Sequence, residues 1–199
     1  NVLSTGFYLS GLLMYLKYRD SRTIKHLVFC FLLFVVGCLS KSSVVVFPIS
    51  MLLIDLFEEK KLVARLIWNK LPFLLVSLVI GIINIQSQTA DLFINHAHEF
   101  PISQRIGFAG FALLKYLTLF LAPFNLSVIY PYPEAKALVF IIGYLVLAGI
   151  FSIVILMFRK GKLRIPFLIL FILLHLILVL QFLPFGEVLY ADRYLYVPI

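Results

Sequence analysis

Long apolar segments separated by short polar gaps limit what this chain can fold into more than any other feature. Hydrophobic residues make up 63% of the sequence and charged residues only 13%, whereas soluble domains are about half apolar and about a quarter charged. A soluble domain of this size cannot bury so much apolar surface, so we predict that lipid is its solvent. The sequence therefore predicts an all-α integral membrane protein, a polytopic helical bundle with about six or seven membrane segments.

Seven apolar segments are the candidate membrane helices of this predicted single transmembrane domain. They cover residues 2–16, 26–40, 43–57, 71–86, 105–122, 137–158 and 165–183. A membrane-spanning helix needs about 20 apolar residues. The last two segments have that spanning length, and several of the others are shorter.

Basic residues concentrate in three of the gaps between the apolar segments, and the net charge of the chain is +8. The three clusters lie at residues 17–25, 60–70 and 159–164. Lys and Arg accumulate in the cytoplasmic loops of membrane proteins, so we predict that these gaps are cytoplasmic. We expect no nucleic-acid binding, because this placement leaves no soluble basic face to carry it.

The stretch from residue 26 to residue 57 is too long for a single membrane crossing. As one helix it would extend about 48 Å, against a hydrocarbon core of about 30 Å. Because basic clusters flank both ends, we predict two crossings with a reversal at residues 40–43. Lys41 then lies at the outer face, where its ammonium could hold a lipid phosphate or simply extend toward the headgroups.

The segment 105–122 lies between two loops, 87–104 and 123–136, that are both predicted to be external. Either this helix does not fully cross the membrane, or one of the basic clusters indicates the wrong side of the membrane. Arg105 and Lys115 interrupt the segment, and a charge within lipid costs about 3 kcal/mol. We therefore favour a re-entrant or interfacial helix.

Two external segments carry further candidate substrate-binding residues. These are Tyr130 and Tyr132 in the first segment and Asp192, Arg193, Tyr194 and Tyr196 in the second. Prolines stiffen the first segment, and its tyrosines could anchor in the interface or line a substrate groove. In the second segment the guanidinium could bind phosphate with two hydrogen bonds, or the whole stretch could be an interfacial girdle of Tyr and Arg.

Three further polar or reactive residues have structural interpretations. Asp55 lies near the cytoplasmic end of its segment, and we predict that it pairs with nearby basic residues such as Lys60. Cys30 and Cys38 lie about 12 Å apart along one predicted helix, which is too far for a disulfide. We therefore predict that both cysteines are packing residues.

Five blocks of sequence, taken in order, resemble a known membrane family. They are LSTGFYLSGLLMYLKY, LSKSSVVVFPISMLLIDLF, KLPFLLVSLVIGIINIQSQ, RIGFAGFALLKYLTLFLAPFNLSVIYPYP and ADRYLYVPI. Their order and spacing, over nearly the whole chain, resemble the membrane part of bacterial transmembrane-and-TPR proteins. That family is related to the eukaryotic O-mannosyltransferases that carry TPR repeats, within the C-type (GT-C) glycosyltransferase superfamily.

The resemblance implies a GT-C-like membrane domain that moves a sugar from a polyprenyl-phosphate carrier to a hydroxyl of a protein or glycan acceptor. It also implies that an acidic catalytic loop precedes Asn1 and that a TPR region follows Ile199, so the catalytic residues are unknown. No cofactor or metal is expected within the 199 residues, and a divalent metal in the full-length protein stays open. The implied location is the bacterial inner membrane, with the active face outside.

The resemblance also assigns expected roles to the candidate residues. Lys41 and Arg193 would neutralise the leaving phosphate, and the tyrosines of the two external segments would shape the groove. This requires Lys41 and residues 192–198 to meet on the non-cytoplasmic rim. Two rival classes are a transporter or flippase of lipid-linked sugars, which predicts paired broken helices, and a non-catalytic membrane anchor for TPR repeats.

Overall fold

The computed structural model describes residues 1–59, 68–90, 101–122, 130–131, 133, 137–180 and 188–191. In this part the regular secondary structure is helical apart from one short pair of strands, so the helical fold is confirmed and the strand pair is the exception to the all-α prediction. The chain divides into two compact units, the N-terminal unit Asn1–Gln86 and the C-terminal unit Ser87–Ile199.

The described residues contain seven α-helices, one for each predicted apolar segment. They are α1 (Val2–Ser21), α2 (Ile24–Ser40), α3 (Phe47–Glu59), α4 (Leu71–Ala90), α5 (Ile102–Leu121), α6 (Ala137–Arg159) and α7 (Arg164–Leu176). The spanning length predicted for the last segment is wrong for the regular helix, since α7 has 13 residues. Beyond it the chain tightens, because the amide of Val179 bonds to the carbonyl of Leu176, three residues back rather than four.

The break that the sequence predicts at residues 40–43 is confirmed. Helix α2 ends at Ser40, Lys41 is extended with φ −160° and ψ 127°, and a 3-10 helix, Ser42–Val46, leads into α3. Pro48 is the second residue of α3. A proline in the first helical turn needs no backbone donor, so this one starts a helix without breaking one.

Buried hydrogen bonds set the relative direction of the first three helices. The hydroxyls of Tyr8 and Tyr15 in α1 donate to Ser50 and Asp55 in α3, at 2.6 Å each. Residue numbers rise together along both helices, so α1 and α3 run parallel. Helix α2 returns along α1 after a two-residue turn and therefore runs against both.

Two contacts, one near each end of α3, show the direction in which α4 runs. Lys70, directly before α4, contacts Asp55 near the end of α3. Further along α4, the Ser77 hydroxyl donates to the carbonyl of Val45, just before α3, at 2.9 Å. Helix α4 therefore runs against α3, and the four helices of the N-terminal unit alternate in direction.

An aromatic stack forms the core of the N-terminal unit. Phe34 of α2 lies 5.3 Å from Phe47 of α3 and 5.5 Å from Phe73 of α4, measured between ring centroids. Cys30 and Cys38 are buried on the same helix as Phe34, and both thiols are free. The prediction that they pack and do not form a disulfide is confirmed.

In the C-terminal unit, α5 crosses α6 at a contact built from glycines. A Cβ atom added to Gly110 would overlap the carbonyl group of Gly143, and one added to Gly143 would overlap the carbonyl group of Gly107. Only residues without a side chain allow two helix backbones to approach this closely. Helix α5 is continuous over 20 residues, or about 30 Å.

Helix α6 has the length and apolar character needed to cross a membrane, and it is the one such helix among the residues described. It has 23 residues, and only 6% of its most apolar stretch is buried within the protein. The core helix of a soluble domain would be mostly buried, so this exposure argues against that alternative. Helix α2, the apolar part of α4 and α7 are also apolar but shorter.

Candidate functional site

Two short strands join the external segments that the sequence singles out. Strand β1 (Tyr130–Pro131) pairs antiparallel with strand β2 (Val188–Tyr190), and Tyr130 lies opposite Tyr190. Strand β1 belongs to the segment between α5 and α6, and β2 comes after α7. The described strand residues of the two segments therefore lie together at one end of the C-terminal unit.

Three tyrosines and one backbone amide surround this strand pair, and we refer to Tyr116, Tyr130, Tyr190 and Ala191 as the tyrosine junction. The rings of Tyr130 and Tyr190 are stacked, with centroids 4.3 Å apart and planes inclined by 15°. Tyr116 of α5 meets the Tyr190 ring edge-on at 6.0 Å. The hydroxyl of Tyr116 accepts a hydrogen bond from the backbone N–H of Ala191, at 3.3 Å.

The tyrosine junction rests on an apolar face of α5. The face carries Phe108, Ala112 and Tyr116 at helical spacing. These side chains pack in one apolar cluster with residues of α7 and with Leu189 of β2. Residues four apart lie on one face of a helix, so the sequence of α5 brings this stripe under β2. Tyr116 is 3% exposed and Ala191 is 1% exposed, so the hydrogen bond between them is enclosed by protein.

The candidate substrate-binding residues have different outcomes. Tyr130 takes part in the tyrosine junction. The remaining external candidates, Tyr132, Asp192, Arg193, Tyr194 and Tyr196, lie outside the described residues. Ala191, held by Tyr116, directly precedes Asp192 and Arg193 in the chain.

Lys41 lies in the N-terminal unit, at the break between α2 and α3. Its side chain is half-buried, its N–H donates to the carbonyl of Gly37 at 2.9 Å, and its carbonyl accepts from Val44 at 3.2 Å. These bonds hold the residue extended where the chain reverses. Because Asp55 lies near the other end of α3, Lys41 and Asp55 are at opposite ends of the N-terminal unit.

A group of polar and charged side chains lies at that other end, and we call Tyr15, Arg19, Asp55, Glu58 and Lys70 the Asp55 cluster; Asp55, Lys70 and Tyr15 are buried, whereas Glu58 is exposed. Asp55 and Lys70 are each 1% exposed and form an ion pair through Oδ2, which also accepts the Tyr15 hydroxyl at 2.6 Å. The expected partner in the sequence was Lys60, which lies outside the described residues. Among the described residues, Asp55 forms ion pairs with Arg19 and Lys70.

Arg19 links the two carboxylates of the Asp55 cluster. Its Nε lies 3.1 Å from Oδ1 of Asp55, and its Nη1 lies 2.5 Å from Glu58. The Nε and Oδ1 atoms are not aligned for a hydrogen bond, so this contact is electrostatic. Two cations and two carboxylates leave the cluster without net charge, an arrangement that connects α1, α3 and the start of α4.

Some of these residues were missed from the sequence. Lys70 and Arg19 were counted only as basic loop charges, and Tyr116 was not singled out. The one available signal for Tyr116 was its place four residues after Ala112 on the apolar stripe of α5. Among the described residues, no three His, Cys, Asp or Glu side chains lie together where they could hold a metal ion.

The chain matches no protein-family model, no curated protein and no solved structure. A function must therefore be inferred from the residues of the chain, from their geometry and from the resemblance of its sequence blocks.

Proposed function

We propose that this chain is the membrane-embedded part of a GT-C-type glycosyltransferase in a bacterial inner membrane. It would transfer a sugar from a polyprenyl-phosphate carrier to a hydroxyl of a protein or glycan acceptor. The reaction would take place on the non-cytoplasmic face, where Lys41 and the two external segments are predicted to lie.

The distribution of apolar side chains supports the polytopic membrane part of this proposal. Large apolar residues are exposed along helices other than α6, among them Leu32 of α2 at 54% and Leu78 of α4 at 62%. Exposed apolar surface on this scale indicates contact with lipid or with another apolar surface. Lipid around several helices, and not α6 alone, would account for it.

The tyrosine junction is the observation that carries the catalytic part. The resemblance assigns substrate contact to the segment around Tyr130 and to the segment that begins at Asp192. The pairing of β1 with β2 brings the first of these beside the residue that leads into the second. Stacked tyrosines at the edge of such a site offer flat, rigid surfaces with polar edges.

The chemistry requires one bond to break and one to form at the anomeric carbon of the sugar. The bond to the carrier phosphate oxygen breaks, and a bond to the acceptor oxygen forms. The acceptor proton passes to a carboxylate base, which the resemblance implies in a loop before Asn1. Negative charge grows on the leaving phosphate, and the resemblance assigns its stabilisation to the Arg193 guanidinium and the Lys41 ammonium.

Replacing Arg193 by Ala in the full-length protein tests this proposal. We expect transfer from a lipid-linked sugar to be lost, while the amount of protein in the membrane stays at the wild-type level. Arg159→Ala is the matched control, because Arg159 is exposed at the end of α6 far from the strand pair. It should retain transfer.

Three results would contradict the proposal. Unchanged transfer in Arg193→Ala would remove this residue from the mechanism. Movement of the intact carrier across a vesicle membrane without a glycosylated product would indicate a transporter. A wild-type protein that neither transfers nor moves the carrier would indicate a non-catalytic anchor.

A further inference from the structure

The hydroxyl of Tyr116 contacts the backbone of the residue that directly precedes Asp192 and Arg193. It lies on α5 and accepts the N–H of Ala191, 75 residues later in the chain, at 3.3 Å. We propose that Tyr116 is a positioning residue that fixes the start of the Asp192–Arg193 segment. This inference rests on the proposed function, in which Arg193 stabilises the leaving phosphate.

Tyr116 is itself held firmly enough to act in this way. Its side chain is 3% exposed, and its ring packs edge-on against Tyr190 at 6.0 Å. Leu189, which directly precedes Tyr190 in β2, is fully buried in the same apolar cluster. A side chain that positions a site must have its own rotamer fixed by packing, and Tyr116 meets this condition.

Because this hydrogen bond is buried, its loss should displace the end of strand β2. Ala191 is 1% exposed, so its N–H is separated from water. A buried N–H that loses its acceptor is costly, and the backbone responds by moving or by opening toward water. Asp192 and Arg193 follow directly, so such a movement is passed on to them through the covalent chain.

Tyr116 acts through Ala191 and not on the substrate. Its hydroxyl oxygen accepts the Ala191 N–H, and the side chain is enclosed by protein. Loss of the hydroxyl should therefore lower the rate of the step that Arg193 accelerates and leave carrier binding by the other groups unchanged. A positioning role predicts a fall in kcat with an unchanged KM for the lipid-linked sugar.

The test is Tyr116→Phe in the full-length protein, with Tyr144→Phe as the matched control. Tyr144 lies on α6, is exposed, and donates its hydroxyl to the carbonyl of Ser103 at 2.5 Å. Both variants remove one tyrosine hydroxyl from the same unit. We expect kcat to fall about tenfold in Tyr116→Phe, the effect of one hydrogen bond, and to stay unchanged in Tyr144→Phe.

A double-mutant cycle separates positioning from a general loss of stability. Arg193→Lys keeps the charge but loses the planar fork of the guanidinium, so it should retain reduced activity. If Tyr116 acts through Arg193, Tyr116→Phe should cost much less in the Arg193→Lys background than in wild type. Equal losses in the two backgrounds would overturn the proposal.

Hydrogen exchange gives a readout that does not depend on transferase activity. Tyr116→Phe should speed amide exchange at Ala191 and along β2, whereas Tyr144→Phe should not. Unchanged exchange at Ala191 would overturn the positioning role even if Arg193 proves essential. If Arg193→Ala retains transfer, the proposed function fails, and faster exchange at Ala191 would limit the role of Tyr116 to holding β2.

Discussion

Removing the carboxylate of Asp55 should destabilise the protein far more than removing the ammonium that pairs with it. In Asp55→Leu, Lys70 keeps a charge that is 1% exposed but loses its buried partner. Arg19 loses its ion pair with Asp55, and the Tyr15 hydroxyl loses its acceptor. In Lys70→Met, by contrast, Asp55 keeps both Arg19 and Tyr15.

The magnitudes follow from these contacts. Removing one member of a buried ion pair costs about 3–5 kcal/mol, because the remaining buried charge loses its ion-pair partner. Asp55→Leu should cost at least this much. Lys70→Met removes one charged hydrogen bond and leaves Asp55 paired, so it should cost about 1–3 kcal/mol.

The double variant Asp55→Leu/Lys70→Met is the decisive comparison. It removes the ammonium that Asp55→Leu leaves buried, and replacing a buried ion pair by apolar side chains is often close to neutral. We therefore expect the double variant to be more stable than Asp55→Leu by about 2 kcal/mol. The second substitution would then act as a rescue, although alone it destabilises.

Unfolding of the full-length protein in mixed micelles would measure these differences. Trp68 is the single tryptophan of the 199 residues and lies two residues before Lys70. With any tryptophan outside these residues replaced by Phe, its fluorescence reports on this end of the N-terminal unit. The expected order of unfolding midpoints places Asp55→Leu lowest, with the double variant above it. Equal midpoints for the two single variants, or a double variant below Asp55→Leu, would refute the reasoning.

Two further predictions concern helix packing and membrane depth. Gly143→Ala should destabilise the protein by about 1–3 kcal/mol, because the added Cβ would overlap the carbonyl of Gly107. Gly149→Ala on the same helix is the control. Its Cβ would meet no atom within 4 Å, so it should be neutral or slightly stabilising in the same unfolding assay. Equal effects of the two would contradict the glycine contact. In bilayers, Trp68, which is 70% exposed, should be quenched most by lipids brominated near the headgroups, and absence of quenching would argue against a membrane surface at this end.

The helices and the break at Lys41 could be predicted from the sequence because both depend on local patterns. An apolar run sets where a helix can form, and the distance limit of a bilayer requires a reversal in a stretch as long as 26–57. The prediction of α7 was less accurate. The apolar run continues to residue 183, but α7 ends at Leu176, and hydropathy carries no information about how a helix ends.

The partners of Asp55 could not be predicted in the same way. Lys60, the partner predicted from closeness in sequence, lies outside the described residues. The partners that the structure describes are charges that neighbouring helices bring to the same height. Arg19 lies on α1, and Lys70 lies directly before α4. These contacts follow from the directions of α1, α3 and α4, which the hydropathy pattern alone does not determine.

The tyrosine junction was hidden for a related reason. Strands β1 and β2 have two and three residues, too few for the alternating pattern that identifies a strand in a sequence. The prediction that the two external segments lie on one side came from counting crossings. The pairing of Tyr130 with Tyr190 adds the contact itself, which no count of crossings supplies.

Besides its aromatic core, the N-terminal unit buries polar groups and exposes large apolar side chains, and this combination supports the proposed membrane location more strongly than the length of any one helix. Ser50, Asp55 and Lys70 are at most 1% exposed, whereas Leu39 is 79% exposed. In water both features are unfavourable. Buried charges lose their hydration, and exposed apolar side chains stay in contact with water. In lipid the exposed leucine carries no such cost, and polar groups are stable only where the protein satisfies them internally. Stability measured in lipid should therefore depend on the Asp55 cluster more than on the apolar exterior.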